Sequence, residues 1–189
     1  MIEMLVESEV VDFLRSGTLE CAYDFSASCV ERMAPIFIAL RGPVGGREED
    51  LDIFVELLDR LWVSDSDDEY FARAVGRLEE FAEMRPGDVE VSSVIDTYCF
   101  YAVLAARHAA LLRSEKNIEA ALSCGHVCLT AMGQFDNNNP GSSFFCEEHE
   151  MQRLIFDVLE RVNLDNIREG DRVVGQARVS ALIGRLSGR

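Results

Sequence analysis

The chain has 189 residues, 48% hydrophobic and 28% charged, enough apolar material for one buried core beneath a charged surface. No run approaches the roughly 18 apolar residues of a membrane span, and the opening MIEMLVESEVVDFL carries Glu3, Glu7 and Glu9 but no basic residue, so it does not read as a secretory signal. With neither a span nor a signal, a cytoplasmic location is expected; a net charge of −16 repels nucleic acid and anionic membranes, so neither is an expected partner.

The hydrophobic pattern is helical throughout, with no convincing alternating stretch and no internal repeat. Residues 2–15 form a first amphipathic segment, ended by Ser16-Gly17. Thr18 can cap a helix over about 19–40, within which Pro35 is expected to kink the helix or divide it, because proline removes a helical hydrogen bond. RGPVGG (41–46) reads as a loop. In 48–62, Ile53, Leu57 and Leu61 make one apolar row, with Phe54 and Leu58 beside it. SDSDDE (64–69) opens a helix to about Met84, with a serine expected as its cap, and Pro86-Gly87-Asp88 breaks the chain.

Residues 91–113 are apolar nearly all round, which predicts a central, buried helix. A helix over 115–135 follows, then the loop DNNNPGSS (136–143). A helix over 144–163 should turn Phe145, Leu154, Ile155, Val158 and Leu159 inward, and a last amphipathic segment covers about 166–187. Seven to eight helices with short connections predict a compact all-α bundle of one domain, 1–189.

Charge is unevenly spread. Residues 168–189 hold five Arg against Glu169 and Asp171, whereas residues 1–167 carry −19. The basic segment 166–189 is therefore expected to dock on the acidic body, with Val173, Val174, Ala177 and Ile183 supplying burial. Seventeen Arg against the single Lys116 point to a GC-rich bacterial coding sequence. Six cysteines in a chain read as cytosolic argue for reduced thiols and not for a disulfide framework.

Few stretches carry chemistry. In ALSCGHVC (121–128), Cys124 and Cys128 are one helical turn apart and share a face, while His126 lies on the opposite side. If the segment is helical the three cannot hold one ion, and no second cysteine pair exists to complete a zinc site, so no metal site and no cofactor are expected. SDSDDE lacks the glycine and terminal glutamate that a calcium loop needs at its sixth and twelfth positions. GPVGG (42–46) is followed by acids where a phosphate would sit. CEEHE (146–150) lacks the Glu-x-x-His spacing of a di-iron bundle and reads as an exposed acidic turn. No nucleophile elbow occurs. No catalytic residue is expected.

Several stretches resemble the YjaG-like family of all-helical bacterial proteins, a domain-of-unknown-function family. AYDFSASCVERMAPIFIAL (22–40), with Glu31, Arg32 and Pro35, looks like its opening helix. LLDRLW (57–62), VIDTYCFYAVLAAR (94–107) and ARVSALIGRL (177–186) resemble later helices. The resemblance covers about residues 20–187 and implies the all-α fold but no activity.

The leading expectation is a non-enzymatic, acidic protein-binding module, specifically an immunity or antitoxin-like protein that neutralises a basic toxin such as a nuclease. The expected contacts are Glu48, Glu49, Asp50, Asp65, Asp67, Asp68, Glu69, Glu147 and Glu148. The alternatives are a helical enzyme or small-molecule/metal-binding protein with an inter-helix pocket near Asp96, Cys99 and His108, and a homodimeric scaffold.

Overall fold

The computed structural model describes residues 5–64, 67–85, 93–159 and 163–187, without the side chains of residues 158, 159 and 187. Among them are eight α-helices and no strand: α1 (Ser8–Ser16), α2 (Leu19–Arg41), α3 (Glu48–Leu61), α4 (Asp68–Glu79), α5 (Val94–Glu115), α6 (Ile118–Asn138), α7 (Phe144–Leu159) and α8 (Leu164–Ser187). A short 3-10 turn (Ala82–Met84) follows α4. The helices form one compact domain around a single core.

Local chemistry explains most boundaries. The Thr18 hydroxyl accepts from the Cys21 N–H and caps α2. The α4 cap is Asp67 and not a serine: its carboxylate accepts from the Tyr70 N–H. Pro35 does not divide α2, which stays one helix from Leu19 to Arg41. α6 runs into the predicted loop as far as Asn138. The Asp136 carboxylate then accepts from the Phe144 and Phe145 N–H groups, so one side chain binds the end of α6 to the start of α7. The predicted break at 86–88 lies outside the described residues.

α5 occupies the centre, as its composition predicts. Its face of Ala102, Ala105, Ala106, Ala109 and Ala110 is buried, and small side chains let α2, α4 and α6 approach closely. α2 shares that place: every residue from 25 to 37 is buried, and the helix packs on α3, α5, α6, α7 and α8. In α3 the inward side chains are Phe54, Leu57, Leu58 and Leu61, with Ile53 half-buried. In α7, Ile155 is buried, Phe145 and Leu154 are half-buried, and the side chains of Val158 and Leu159 lie outside the described residues.

α8 packs along α2, with another face inward than the one expected. Val173, Ala177 and Ile183 are exposed and Val174 is half-buried. The buried residues of α8 are instead Ile167, Asp171, Gly175, Arg178, Val179 and Leu182, which share one helical face. Two charges thus lie on the inner face. Apolar periodicity alone placed the helix about one residue out of register, because it treated Asp171 and Arg178 as surface groups.

Candidate functional site: an acidic outer helix over a charged, thiol-bearing core

The predicted acidic contacts do not form one patch. Glu48, Glu49 and Asp50 open α3, and Asp67, Asp68 and Glu69 open α4. The two helices run antiparallel, since Arg77 near the end of α4 reaches Glu49 while Arg60 near the end of α3 lies over the Tyr70 ring. The two acidic groups therefore sit at opposite ends of the pair, on the order of 15 Å apart along the helix axes. Several are already paired: Asp50 with Arg47 at 2.6 Å, Glu49 with Arg77 at 2.6 Å, and Asp68 with Lys116 at 2.7 Å. Asp65 lies outside the described residues.

What links the two ends is a stripe that sequence reasoning missed. Glu48, Asp52, Glu56 and Asp59 follow each other at three- or four-residue intervals on the outer side of α3, all exposed, with Val55 among them. Among the described residues, Glu48, Asp52 and Glu56 have no cation within ion-pair distance, whereas Asp59 holds Arg168. Glu56 forms a ridge between two shallow depressions. One, of about 380 Å³, lies toward α4 and includes Ile53, Tyr70 and Ala74; the other, of about 400 Å³, includes Ile38, Leu51 and Val55. The signal for it is local: the acids at 48, 52, 56 and 59 recur at the spacing of one helical face.

CEEHE divides differently from expectation. Glu147 is exposed, but Glu148 is completely buried and cannot touch a partner. Its Oε1 accepts from Arg32 Nη2 at 2.8 Å and its Oε2 from Arg32 Nε at 2.9 Å and from Arg178 Nη2 at 2.8 Å. Arg32 Nη1 also donates to Asp171 Oδ1 at 2.7 Å and to the Ser28 hydroxyl at 2.5 Å. Gln152 donates to both Glu148 and the Gly125 carbonyl. The network joins α2, α6, α7 and α8.

Burial by itself would raise the Glu148 pKa, but the guanidinium groups of Arg32 and Arg178 outweigh it and hold the carboxyl down at about 2. Burial also opposes the charge on Arg32, and Glu148 and Asp171 more than reverse that effect. A third buried carboxylate, Glu31 of α2, accepts from Trp62 Nε1, Arg168 and Arg172.

Beside the Arg32–Glu148 pair lies a thiol cluster. Cys124 and Cys128 face inward as their spacing predicts, while His126 is directed away and its Nδ1 accepts from the Leu5 N–H. Cys124 Sγ is 3.4 Å from the Ala105 carbonyl of α5, the close helix approach expected of small thiols. α2 adds Cys29, whose sulfur lies within 4.8 Å of both others. Sequence distance hid this third thiol, which is 95 or more residues from the pair.

The α5 residues named for an enzyme pocket do not converge. Asp96 and His108 are about 18 Å apart along one helix. Asp96 binds Arg41 and Ser93, Cys99 is buried with its pKa pushed up to about 12 by burial, and the buried Nδ1 of His108 has no partner among the described residues.

No family model, curated protein or solved structure matches this chain. No helix among the described residues is long and apolar enough to cross a membrane.

Proposed function

We propose that the chain is a cytoplasmic protein-binding module that uses α3 to engage a basic protein. The observation that carries this reading is the outer stripe of α3. Three carboxylates on it have no cation partner among the described residues, and apolar depressions flank it on both sides. Unpaired surface acids steer a cationic partner and accelerate its association, while apolar hollows provide the area that holds it. An immunity or antitoxin-like role fits this arrangement: an acidic helix of this kind can occupy the basic cleft by which a nuclease binds phosphate. The rigid charged core would then serve to present α3 in a fixed position.

The test is the association rate with a partner co-purified at low salt. The rate should fall by tenfold or more as ionic strength is raised to physiological levels. A triple variant, Glu48→Gln, Asp52→Asn and Glu56→Gln, should slow association while leaving the fold intact. A salt-insensitive rate, or a triple variant that binds like the parent, would refute the proposal.

A further inference from the structure

The thiol cluster is more than close packing requires. Cys29, Cys124 and Cys128 are all at 0% exposure, and their sulfurs lie within 4.8 Å of one another. They come from two helices, α2 and α6, and on the third helix of the contact, α5, the Ala105 carbonyl lies 3.4 Å from Cys124 Sγ. The polar surroundings are unusual for an apolar core. Arg32 Nη2 lies 3.5 Å from Cys29 Sγ and places a cation beside it, and Glu148 Oε1 is 4.0 Å from the same sulfur. Around the cluster, three buried polar atoms have no partner among the described residues. They are the Ser26 hydroxyl one turn before Cys29, Gln152 Oε1, and His108 Nδ1 one turn beyond Ala105. Buried polar atoms are ordinarily paired, and their concentration here marks a site and not a plain helix seam.

We propose that Cys29, Cys124 and Cys128 form a trigonal, all-thiolate site for a soft ion, Cu(I). Soft thiolates select Cu(I), Zn(II) and iron–sulfur clusters. Structural zinc wants a fourth protein ligand, and iron–sulfur clusters are typically held by four. Among the described residues no fourth Cys, His, Asp or Glu ligand atom lies within 4.8 Å of all three sulfurs; Glu148 Oε1, near Cys29, is already held by Arg32 and Gln152, and the sulfurs are closed to solvent, so water does not complete a tetrahedron. Three coordination with sulfur alone suits Cu(I).

The size is also right. A metal–thiolate bond of about 2.3 Å places the sulfurs of a planar trigonal site about 4.0 Å apart. That spacing falls within the observed limit of 4.8 Å, so little movement of α2 against α6 is needed. All three thiols are fully buried, and the ion must displace their protons as it binds. The Arg32 guanidinium then offsets part of the negative charge that thiolate coordination builds up.

The experiment is an anaerobic equilibrium titration of the reduced protein against Cu(I) held by a chromophoric chelator. Equilibrium matters because the buried sulfurs must be reached through local opening. The protein should withdraw one equivalent, and Cys29→Ala, Cys124→Ala and Cys128→Ala should each weaken binding at least tenfold. Cys21→Ala and Cys146→Ala, outside the cluster, should leave it unchanged. X-ray absorption of the copper-loaded parent should show a shell of three sulfurs, which decides the matter even if an alanine variant does not fold. No uptake, uptake abolished by Cys21→Ala or Cys146→Ala, or a shell of two or four sulfurs would overturn the proposal.

Discussion

Glu148→Gln is the sharpest test of the charged core. The glutamine side chain has nearly the same shape but no charge, so Arg32 and Arg178, at 1% and 0% exposure, would lose their shared anion. Two routes give the size of the loss. A folded-state pKa of about 2 against an ordinary value of 4.5 corresponds to about 3 kcal/mol of stability at neutral pH. Independently, removing one partner of a buried ion pair costs about 3–5 kcal/mol, because the remaining charge stays desolvated. For a chain of this length, about 3 kcal/mol lowers the melting temperature by about 10 °C.

The sign of the pH effect follows. A carboxylate whose pKa is depressed on folding contributes fully above its unfolded value, and the contribution is lost as pH falls from about 4.5 toward 2. Urea denaturation followed by circular dichroism, at pH 7 and at steps down to pH 3, measures both effects. Glu148→Gln should unfold more easily at pH 7, and its stability should fall less steeply below pH 4.5 than that of the parent. The exposed neighbour, Glu147→Gln, should change stability by less than about 0.5 kcal/mol. A Glu148→Gln loss below about 1 kcal/mol at pH 7, or an unchanged acid slope, would refute the reasoning.

Two further outcomes follow from the same packing. At Gly175 of α8, an added methyl would lie 2.8 Å from the Arg32 carbonyl oxygen and 2.7 Å from Pro35 Cγ, so backbone must shift. Gly175→Ala should cost about 1–3 kcal/mol by chemical denaturation, and a neutral result would mean that α8 does not cross α2 this closely. His108 has its pKa lowered by burial, so the unfolded chain binds its proton first. Stability should therefore fall as pH drops below about 6.5, the unfolded histidine value. His108→Gln should flatten the slope between pH 7.5 and 5, and an unchanged slope would exclude His108 as its source.

Helix number, approximate limits and the burial of α5 were all legible in periodicity, because a helix must turn its apolar side chains one way regardless of what it meets. The inward turn of Cys124 and Cys128 against His126 followed from the same 100° step. What tertiary contact decided is where charge can live. Glu148, Asp171, Arg32 and Arg178 look like surface residues one at a time, and only their meeting at the junction of α2, α7 and α8 makes their burial tolerable. That meeting also set the rotation of α8, turning Val173 and Ile183 to solvent.

The functional regions divide in the same way. The α3 stripe was encoded locally, in acids spaced at 48, 52, 56 and 59, and needed only helical counting. The third thiol could not be counted, since Cys29 reaches Cys124 and Cys128 only when α2 crosses α6. The sequence by itself determined an all-helical, acidic protein and the faces of its helices. The tertiary structure decided which charges face each other inside it and which sulfurs converge, because both depend on long-range packing that local periodicity does not specify.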